Sequence, residues 1–326
     1  MAETPLWVDE QEATRLLSLE DAIEVLREAY QLRAAGEAAS MRRAHLREGD
    51  SILHAVGGSI TGDDLTGTKT WTYTPGGASP LLVLFSLTDG RVLGIIEAFA
   101  LGQLRTAATA GLATRVLARP DAATLALLGT GRQAFTQARA IACVRPITRI
   151  RVFGRDPGRR AAMAARLRAA LHAEVSEHGG VAETVSGADV VTAITRSAAP
   201  LIAGDALEPG MHVNAVGAIV PSRRELDETA VGRADLIVAD SVDQARDDAG
   251  ELRAAADSGL MRWEDVRGLE SIVDRLPSEL RSPTDITLFK ALGVGLSDVA
   301  LGAEVLHRAQ EAGAGTALPV RAVAHH

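Results

Sequence analysis

Three cationic side chains in the first third of the chain could bind an anionic substrate. They are Lys69 in the segment GTKTWTYTPGG, Arg105 in LGQLRTAATAG, and Arg42 just before SILHAV. A guanidinium binds a carboxylate through two parallel hydrogen bonds, and an ammonium adds a point charge at the same place. Because the neighbours of Arg105 are small or uncharged, no salt-bridge partner is evident nearby in the sequence. We therefore consider a carboxylate site, with three surface or core-rim cations as the alternative.

Two further polar residues could take part in proton transfer. His54 stands in the otherwise apolar segment SILHAV, and the ordinary pKa of histidine lies close to physiological pH. A structural histidine with satisfied hydrogen bonds is the alternative. Asp298, in GVGLSDVA, is another polar group that could face the same site.

A glycine-rich loop in the middle of the chain is typical of dinucleotide binding. The loop consists of Gly129, Thr130, Gly131, Arg132, Gln133 and Ala134. Its glycines allow a sharp turn and a close approach to a pyrophosphate, which then lies at the positive end of the following helix. An apolar strand precedes the loop, a helix follows, and the strand RIRVF comes about 20 residues later, as this fingerprint requires. Ordinary turn glycines are the alternative.

The end of the strand RIRVF indicates which dinucleotide is bound. NAD is usually held there by an acidic residue that accepts hydrogen bonds from the ribose, whereas a 2′-phosphate favours arginine. Gly154 occupies the expected acid position and Arg155 follows it, so we predict a preference for NADP(H). Asp156 keeps NAD(H) open as the cofactor, and a solvated arginine face is the alternative. The other predicted cofactor contacts are Arg159, Thr195, Val216 and Gly217.

Apolar periodicity predicts the elements that position these residues. Residues 7–17 read as a strand, and a helix of about five turns follows the N-cap Ser18. Short β-rich pieces come next, with a hairpin at Thr88-Asp89-Gly90, and then a helix over residues 101–117. Beyond it, apolar strands alternate with helices, which predicts a doubly wound parallel sheet. Residues 285–313 are predicted to be mostly helical and to pack on the first part.

Length, composition and charge restrict the classes of function. The 326 residues are 47% hydrophobic, which suits two domains, and the net charge of -8 argues against nucleic acid or an anionic membrane as a partner. The single cysteine, Cys143, excludes an intrachain disulfide. We expect a cytoplasmic protein, since neither a signal-peptide pattern nor a membrane-length apolar run is apparent. No metal-ligand cluster, Ser/His/Asp arrangement or thiol pair is apparent either.

Several motifs in order resemble the ornithine cyclodeaminase/mu-crystallin family. They are KTW from Lys69, EAFALGQLRTAATAGLATRVLA, the loop GTGRQA, PLIAGDALEPGMHVNAVGA, REL and ITLFKALG, and they cover nearly the whole chain. The resemblance implies an α/β fold with a Rossmann doubly wound NAD(P)-binding domain over residues 118–299. It also implies an α+β substrate-binding and dimerisation domain, residues 1–117 with 300–326, and hence a homodimer.

The same resemblance implies roles for individual residues. Lys69 and Arg105 match positions that hold the substrate carboxylate, and Lys69 is also close enough to take part in proton transfer. Arg42 matches a third such position less clearly, since Arg43 is adjacent. In the cyclodeaminases an Asp shortly after the NAVG strand end binds the substrate amine, and that position is Ile219 here. An apolar side chain neither attracts an amine nor exchanges protons with it, so ring-closing deamination loses its central group.

The residues that remain suit hydride transfer. We predict an NADP(H)-preferring oxidoreductase that acts on the C=N or C–N bond of a small α-imino or α-amino acid. Lys69 is the first candidate for the proton and His54 the second, while Ile219 either lines the substrate site or packs under the cofactor. Glu225, in REL, is expected to be structural. The alternatives are a cyclodeaminase-type lyase that recycles bound NAD, and a non-catalytic crystallin-like protein that binds NADP(H).

Overall fold

The computed structural model of the protein describes residues 4–319. The strands are β1 Leu6–Val8, β2 Ala38–Ser40, β3 Ala44–Glu48, β4 Ser51–Ile60, β5 Leu65–Tyr73, β6 Leu81–Ser86, β7 Val92–Glu97, β8 Thr124–Leu128, β9 Arg149–Phe153, β10 Glu174–His178, β11 Val190–Ala193, β12 His212–Ala215, β13 Leu236–Ala239, β14 Val266–Gly268, β15 Thr287–Lys290 and β16 Thr316–Ala317. The α-helices are α1 Glu10–Leu16, α2 Leu19–Ala34, α3 Phe99–Leu117, α4 Ala134–Val144, α5 Pro157–Ala170, α6 Val181–Val185, α7 Glu228–Gly232, α8 Val242–Asp248, α9 Gly250–Asp257, α10 Pro277–Leu280 and α11 Gly295–Ala312.

The chain divides into two compact units. The first runs to Arg105 and resumes at Val294, and the second comprises Thr106–Gly293. The domain boundaries predicted from the sequence, after residues 117 and 299, lie slightly later along the chain. They remain predictions, although a cut after residue 299 would fall inside α11, which begins at Gly295.

The first unit is built on a mixed sheet in the order β16-β1-β7-β6-β5-β4-β2, with β3 also paired to β4. The pairs from β4 to β7 are antiparallel, as the short β-rich pieces and the Asp-Gly turn indicate, whereas β1 joins β7 in parallel. Along β6 every second residue is buried, with Leu82 and Leu84 fully inaccessible to solvent. The sheet therefore has one face packed on the core and one face less covered.

Helix α11 covers the buried face of this sheet, and two of its glycines allow the close approach. A Cβ on Gly295 would lie 2.2 Å from the backbone nitrogen of Gly57 on β4, and a Cβ on Gly302 would lie 2.2 Å from Leu82 Cδ2. Both distances are shorter than real Cβ contacts, so larger residues would push the helix off the sheet. This packing places the first turn of α11 against β4 and β5.

The strand predicted over residues 7–17 needs correction. The strand β1 ends at Val8 and α1 follows it, because Asp9 caps the helix and Glu12 completes a capping box. Residues 285–313 are mostly helical, as predicted, because α11 spans 18 of them, but the buried strand β15 precedes the helix. The apolar part of β15, Leu288 and Phe289, is short, and such runs cannot be distinguished from buried helix by periodicity alone.

The second unit contains a fully parallel eight-stranded sheet in the order β10-β9-β8-β11-β12-β15-β13-β14. Its inner strands β8, β11, β12, β13 and β15 are buried at every residue. Alternate residues of β8 belong to two different apolar clusters: Leu125 and Leu127 to one, Ala126 and Leu128 to the other. Because alternate residues of a strand face opposite sides, the sheet is covered on both faces. The predicted doubly wound domain is confirmed.

The strand order reverses direction next to β8. The chain passes from β8 outward to β9 and β10, and then returns to β11 on the other side of β8. In open α/β sheets ligands bind at such a switch point, beyond the carboxyl ends of the strands. The loop that begins at Gly129 follows β8 at this point. Within residues 4–319, no helix has both the length and the apolar character that a membrane span demands.

Candidate functional site

A cluster of two cations and one carboxylate lies in the first unit. Lys69, on β5, is only 4% exposed, and its Nζ donates to Asp298 Oδ1 at 2.5 Å. The same oxygen lies 3.3 Å from Nε of Arg105 on α3. Asp298 is fully buried in the first turn of α11. One carboxylate oxygen therefore joins cationic groups from two other elements.

The position of Lys69 follows from the alternation of β5. Leu65, Gly67 and Lys69 are the buried residues of this strand, so the ammonium projects from the core face of the sheet. Helix α3 passes close to it at Gly102, where a Cβ would lie 3.5 Å from the Nζ atom, an ordinary contact. A lysine on an otherwise apolar face is costly unless it is paired, and Asp298 is the pairing group.

The environment of Lys69 lowers its pKa. The pKa falls from 10.5 to about 8; burial is the largest cause, and the positive charges of Arg105 and Arg43 act in the same direction. The negative charge of Asp298 and its hydrogen bond act in the opposite direction. An ammonium with a pKa of about 8 is mostly charged at neutral pH, and it can still release a proton. Lys69 can thus both bind a carboxylate and move a proton.

His54 and Trp71 form an aromatic pair on the same sheet face as Lys69. They lie opposite each other on β4 and β5, and their rings stack with centroids 4.8 Å apart. The Nζ of Lys69 lies 5.2 Å from the centroid of Trp71, a cation–π distance. Burial, and then the positive charge of Arg43, lower the pKa of His54 and so favour the neutral imidazole. A neutral imidazole in this position is suited to accept a proton.

The two neighbouring arginines before β3 differ in their surroundings. Arg42 is exposed, whereas Arg43 is half-buried. Besides burial, the charge of Arg43 contributes to the lowered pKa values of both Lys69 and His54. Arg43 therefore lies close enough to influence the charges of the cluster. Its adjacent position in the sequence had already made it the alternative to Arg42.

In the second unit, the loop after β8 has the backbone geometry that a phosphate loop needs. Gly129 has φ 123°, and a Cβ there would lie 2.5 Å from the carbonyl oxygen of Ile194. A Cβ on Gly131 would meet nothing within 4 Å, so the backbone faces open space there. Helix α4 starts directly after, at Ala134, with Gln133 as its N-cap. Ala134 N already donates to the carbonyl oxygen of Gly131 at 3.1 Å, so the other amide groups of this first turn are the ones that could bind a pyrophosphate.

At the end of β9, the position that usually carries a ribose-binding acid is Gly154, which has no side chain. A Cβ on Gly154 would lie 2.7 Å from Thr130 Cγ2, so the glycine is required by the packing of the phosphate loop. Asp156 is the N-cap of α5 and accepts a hydrogen bond from Arg159 N at 2.8 Å. Arg155 and Arg159 are exposed, and neither side chain forms an ion pair within the described residues.

The ends of β11 and β12 are tied together by one buried carboxylate. Glu225 Oε1 accepts hydrogen bonds from Thr195 N and Oγ1, at 2.6 and 2.7 Å. Its Oε2 accepts from Gly217 N at 2.7 Å and from Ala218 N at 3.2 Å. The pKa of Glu225 is raised overall, because burial outweighs the opposing effects of the Lys290 charge and the hydrogen bonds from Thr195. Glu225 thus shapes the two strand ends to which the predicted contacts Thr195, Val216 and Gly217 belong.

A second buried ion pair supports the same loop. Lys290, on β15, donates to Glu251 Oε1 at 2.7 Å and also to the carbonyl oxygen of Ala218, and both charged side chains are fully buried. Ile219 follows directly and is 39% exposed. The loop therefore presents an apolar side chain outward from a rigidly hydrogen-bonded base.

The sequence profile of the ornithine cyclodeaminase/mu-crystallin family matches residues 6–313. The chain belongs to this family. Among its curated relatives, a Delta(1)-pyrroline-2-carboxylate reductase of Bacillus cereus is 30% identical over 236 residues, covering 72% of each chain. The expected family and its two-part α/β fold are thereby confirmed.

Two solved structures are similar over almost the whole chain. The iminosuccinate reductase of Paracoccus denitrificans in complex with NAD+ is 27% identical, with a TM-score of 0.88 over 98% of this chain and 100% of that one. A probable ornithine cyclodeaminase from Bordetella pertussis Tohama I is 31% identical, with a TM-score of 0.87 over 96% and 100%. Relatives thus carry both reductase and cyclodeaminase names, and the residues of the site must decide between the two chemistries.

The structure adds partners that sequence reasoning did not connect. Asp298 was a candidate polar group, but its pairing with Lys69 spans 229 residues of sequence. The stacking of Trp71 on His54 and the pair of Lys290 with Glu251 were not anticipated. One signal was available: the only lysines among 34 basic residues are Lys69 and Lys290, and both are buried. A chain that uses arginine everywhere else retains lysine at two paired interior positions.

Proposed function

We propose that this protein is an NAD(P)H-dependent oxidoreductase that acts on the C=N or C–N bond of a small α-imino or α-amino acid. The cluster of Lys69, Arg105 and Asp298 carries the proposal. Its two cations and one anion leave a net positive charge in a dry environment, which suits one substrate carboxylate. The reductase names of the relatives support this reading.

The phosphate loop fits a dinucleotide on geometric grounds. A Cβ at Gly129 or at Gly154 would clash with neighbouring atoms. The backbone at Gly131 faces open space. When bound there, a nicotinamide cofactor would supply a hydride to the α-carbon of the imine, or accept it from the amine. The NAD+ complex of the iminosuccinate reductase supports a nicotinamide cofactor for this chain too.

The chain's own residues would bind and protonate the substrate. Arg105 and Lys69 would hold its carboxylate, with Arg43 rather than Arg42 as the third cation because Arg43 lies electrostatically closer. Lys69 would give the nitrogen its proton in the direction of reduction, since its pKa of about 8 keeps a proton available at neutral pH. His54 would be the second proton carrier.

Ile219 distinguishes this reaction from ornithine cyclodeamination. It offers no carboxylate to bind a substrate amine, and its exposed apolar side chain would exclude water from a hydrolysable C=N bond. We therefore favour the reductase over a lyase that recycles bound NAD. Incubation with ornithine and NAD separates the two, because a lyase forms proline and ammonia without net change in the cofactor.

We propose NADP(H) as the preferred form of the cofactor. Arg155 and Arg159 are exposed side chains with no ion pair in the described part of the chain, and Asp156 is engaged as a helix cap. A 2′-phosphate would find arginine rather than a carboxylate at this strand end. The preference is measured as the ratio of kcat/KM for NADPH and NADH with one imine.

A screen of cofactor oxidation tests the function. The protein is mixed with NADPH or NADH and with pyruvate, glyoxylate or oxaloacetate plus ammonia or methylamine, or with cyclic imino acids. Absorbance loss at the nicotinamide band with at least one imino acid, abolished in Lys69→Met, is the expected result. Tight NADP(H) binding without oxidation by any of these substrates would instead support a crystallin-like binding protein.

We also propose that the protein is a homodimer. The face of β3 and β4 opposite to His54 exposes two leucines that lie in register, Leu46 at 66% and Leu53 at 45%. A second copy would cover this apolar pair. Light scattering should give twice the mass of the 34.1 kDa chain, and Leu53→Arg should lower it to that of the monomer.

A further inference from the structure

Asp298 is placed to do more than neutralise one lysine. Its Oδ1 lies within 3.3 Å of cationic nitrogens from two different side chains, Lys69 and Arg105. Its Oδ2 is buried and has no hydrogen-bond partner within residues 4–319. The carboxylate is fully buried, so water does not screen its charge. The negative charge of Asp298 is therefore directed at these two cations.

All influences on Lys69 except those of Asp298 lower its pKa and so disfavour the charged ammonium. Burial lowers the pKa of the ammonium most strongly, and the cations Arg105 on α3 and Arg43 before β3 lower it further. Asp298 on α11 is the group that raises it, both by its charge and by its hydrogen bond. Without this carboxylate, two like charges would face each other in a dry environment, and the lysine would lose its proton first.

We propose that Asp298 is a positioning residue: its carboxylate holds the Lys69 ammonium and the Arg105 guanidinium side by side, so that both are aimed at the substrate's carboxylate. The inference rests on the proposed function for the identity of the bound anion. It predicts that the charge of Asp298 sets the proton affinity of Lys69.

The composition of the chain offers a direct way to observe this. Lys69 and Lys290 are its only lysines, so protein labelled with ¹⁵N at lysine Nζ contains two side-chain signals. Lys290 is paired with Glu251 in the second unit and serves as an internal reference. Lys69→Arg removes one signal and assigns the other. The titration of Lys69 can thus be followed without substrate or turnover.

The test compares wild type, Asp298→Asn and Ser297→Ala. We expect Lys69 to titrate near pH 8 in wild type and about 1–3 units lower in Asp298→Asn, the shift typical of losing an opposite charge at this distance. Ser297 is the neighbouring buried residue on α11, so Ser297→Ala controls for disturbance of the helix and should leave the titration unchanged. An unchanged Lys69 titration in Asp298→Asn would overturn the inference.

A second variant keeps the test decisive if Asp298→Asn does not fold. Arg105→Leu removes the competing cation, so it should raise the pKa of Lys69, the opposite direction from the loss of Asp298. A lowered or unchanged value would refute the shared carboxylate. Reductase activity is then measured against pH: its alkaline limb should move with the Lys69 titration in each folded variant. A limb that stays in place while the titration moves would overturn the positioning role, whereas absence of any reductase activity would instead count against the proposed function.

Discussion

Replacing Arg155 and Arg159 by alanine tests the proposed choice of cofactor. Both side chains are exposed at the end of β9 and free of ion pairs in the described residues, so their removal should leave the fold intact. The nearest carboxylate in sequence, Asp156, is held by the backbone of Arg159 as a helix cap. Loss of the arginines therefore removes positive charge from the proposed 2′-phosphate position and leaves the phosphate loop unchanged.

The size of the effect follows from the strength of an arginine–phosphate contact. A hydrogen bond to a charged group contributes about 1.5–3 kcal/mol, and the lower end applies here because solvent screens exposed groups. Since 1.36 kcal/mol corresponds to a factor of ten, each substitution should raise KM for NADPH roughly tenfold. The double variant should approach a hundredfold, provided that the two contacts are independent.

The assay measures kcat/KM for NADPH and NADH in parallel with one imine substrate. NADH lacks the phosphate, so its kcat/KM should change less than about twofold in either single variant. Arg139→Ala, which removes an exposed arginine from α4, is the matched control and should affect neither cofactor. Equal losses with both cofactors would refute the assignment of these arginines to a 2′-phosphate.

Three further outcomes follow from the described contacts. If the protonated form of Lys69 is required, kcat/KM should be constant below its pKa of about 8 and fall tenfold per pH unit above it, and a rate that stays level to pH 10 would contradict this role. Ile219→Asp should lower imine reduction at least about tenfold by placing a charge beside the C=N bond, and equal activity would show that residue 219 is remote from the substrate. Glu225→Gln should lower the free energy of unfolding by about 3 kcal/mol, because an amide cannot accept four hydrogen bonds; urea denaturation that shows a loss below about 0.5 kcal/mol would disagree.

The doubly wound unit could be predicted from the sequence because its signals are local. Strands such as ATLALL are short and wholly apolar, and the loop from Gly129 stands at its required place between a strand and a helix. Local signals were also present where the prediction was wrong. Asp9 and Glu12 form a capping box that starts α1, yet the flanking apolar residues suggested a strand.

The carboxylate cluster could be predicted only in part. Lys69 and Arg105 were candidates because their residue types suit a substrate carboxylate, and the resemblance to the family supported both. Their geometry depends on Asp298, which reaches them only because α11 packs on β4 and β5 through glycines such as Gly295. No periodicity or spacing encodes a contact between residues 229 positions apart, so the shared oxygen had to come from the structure.

The proposed function is tested most directly by stopped-flow or steady-state oxidation of NADPH with cyclic and open-chain α-imino acids, run beside ornithine in the presence of NAD. We expect one nicotinamide oxidised for each amino acid formed, and no proline from ornithine. Proline and ammonia released from ornithine without net change in the cofactor would contradict the proposed function.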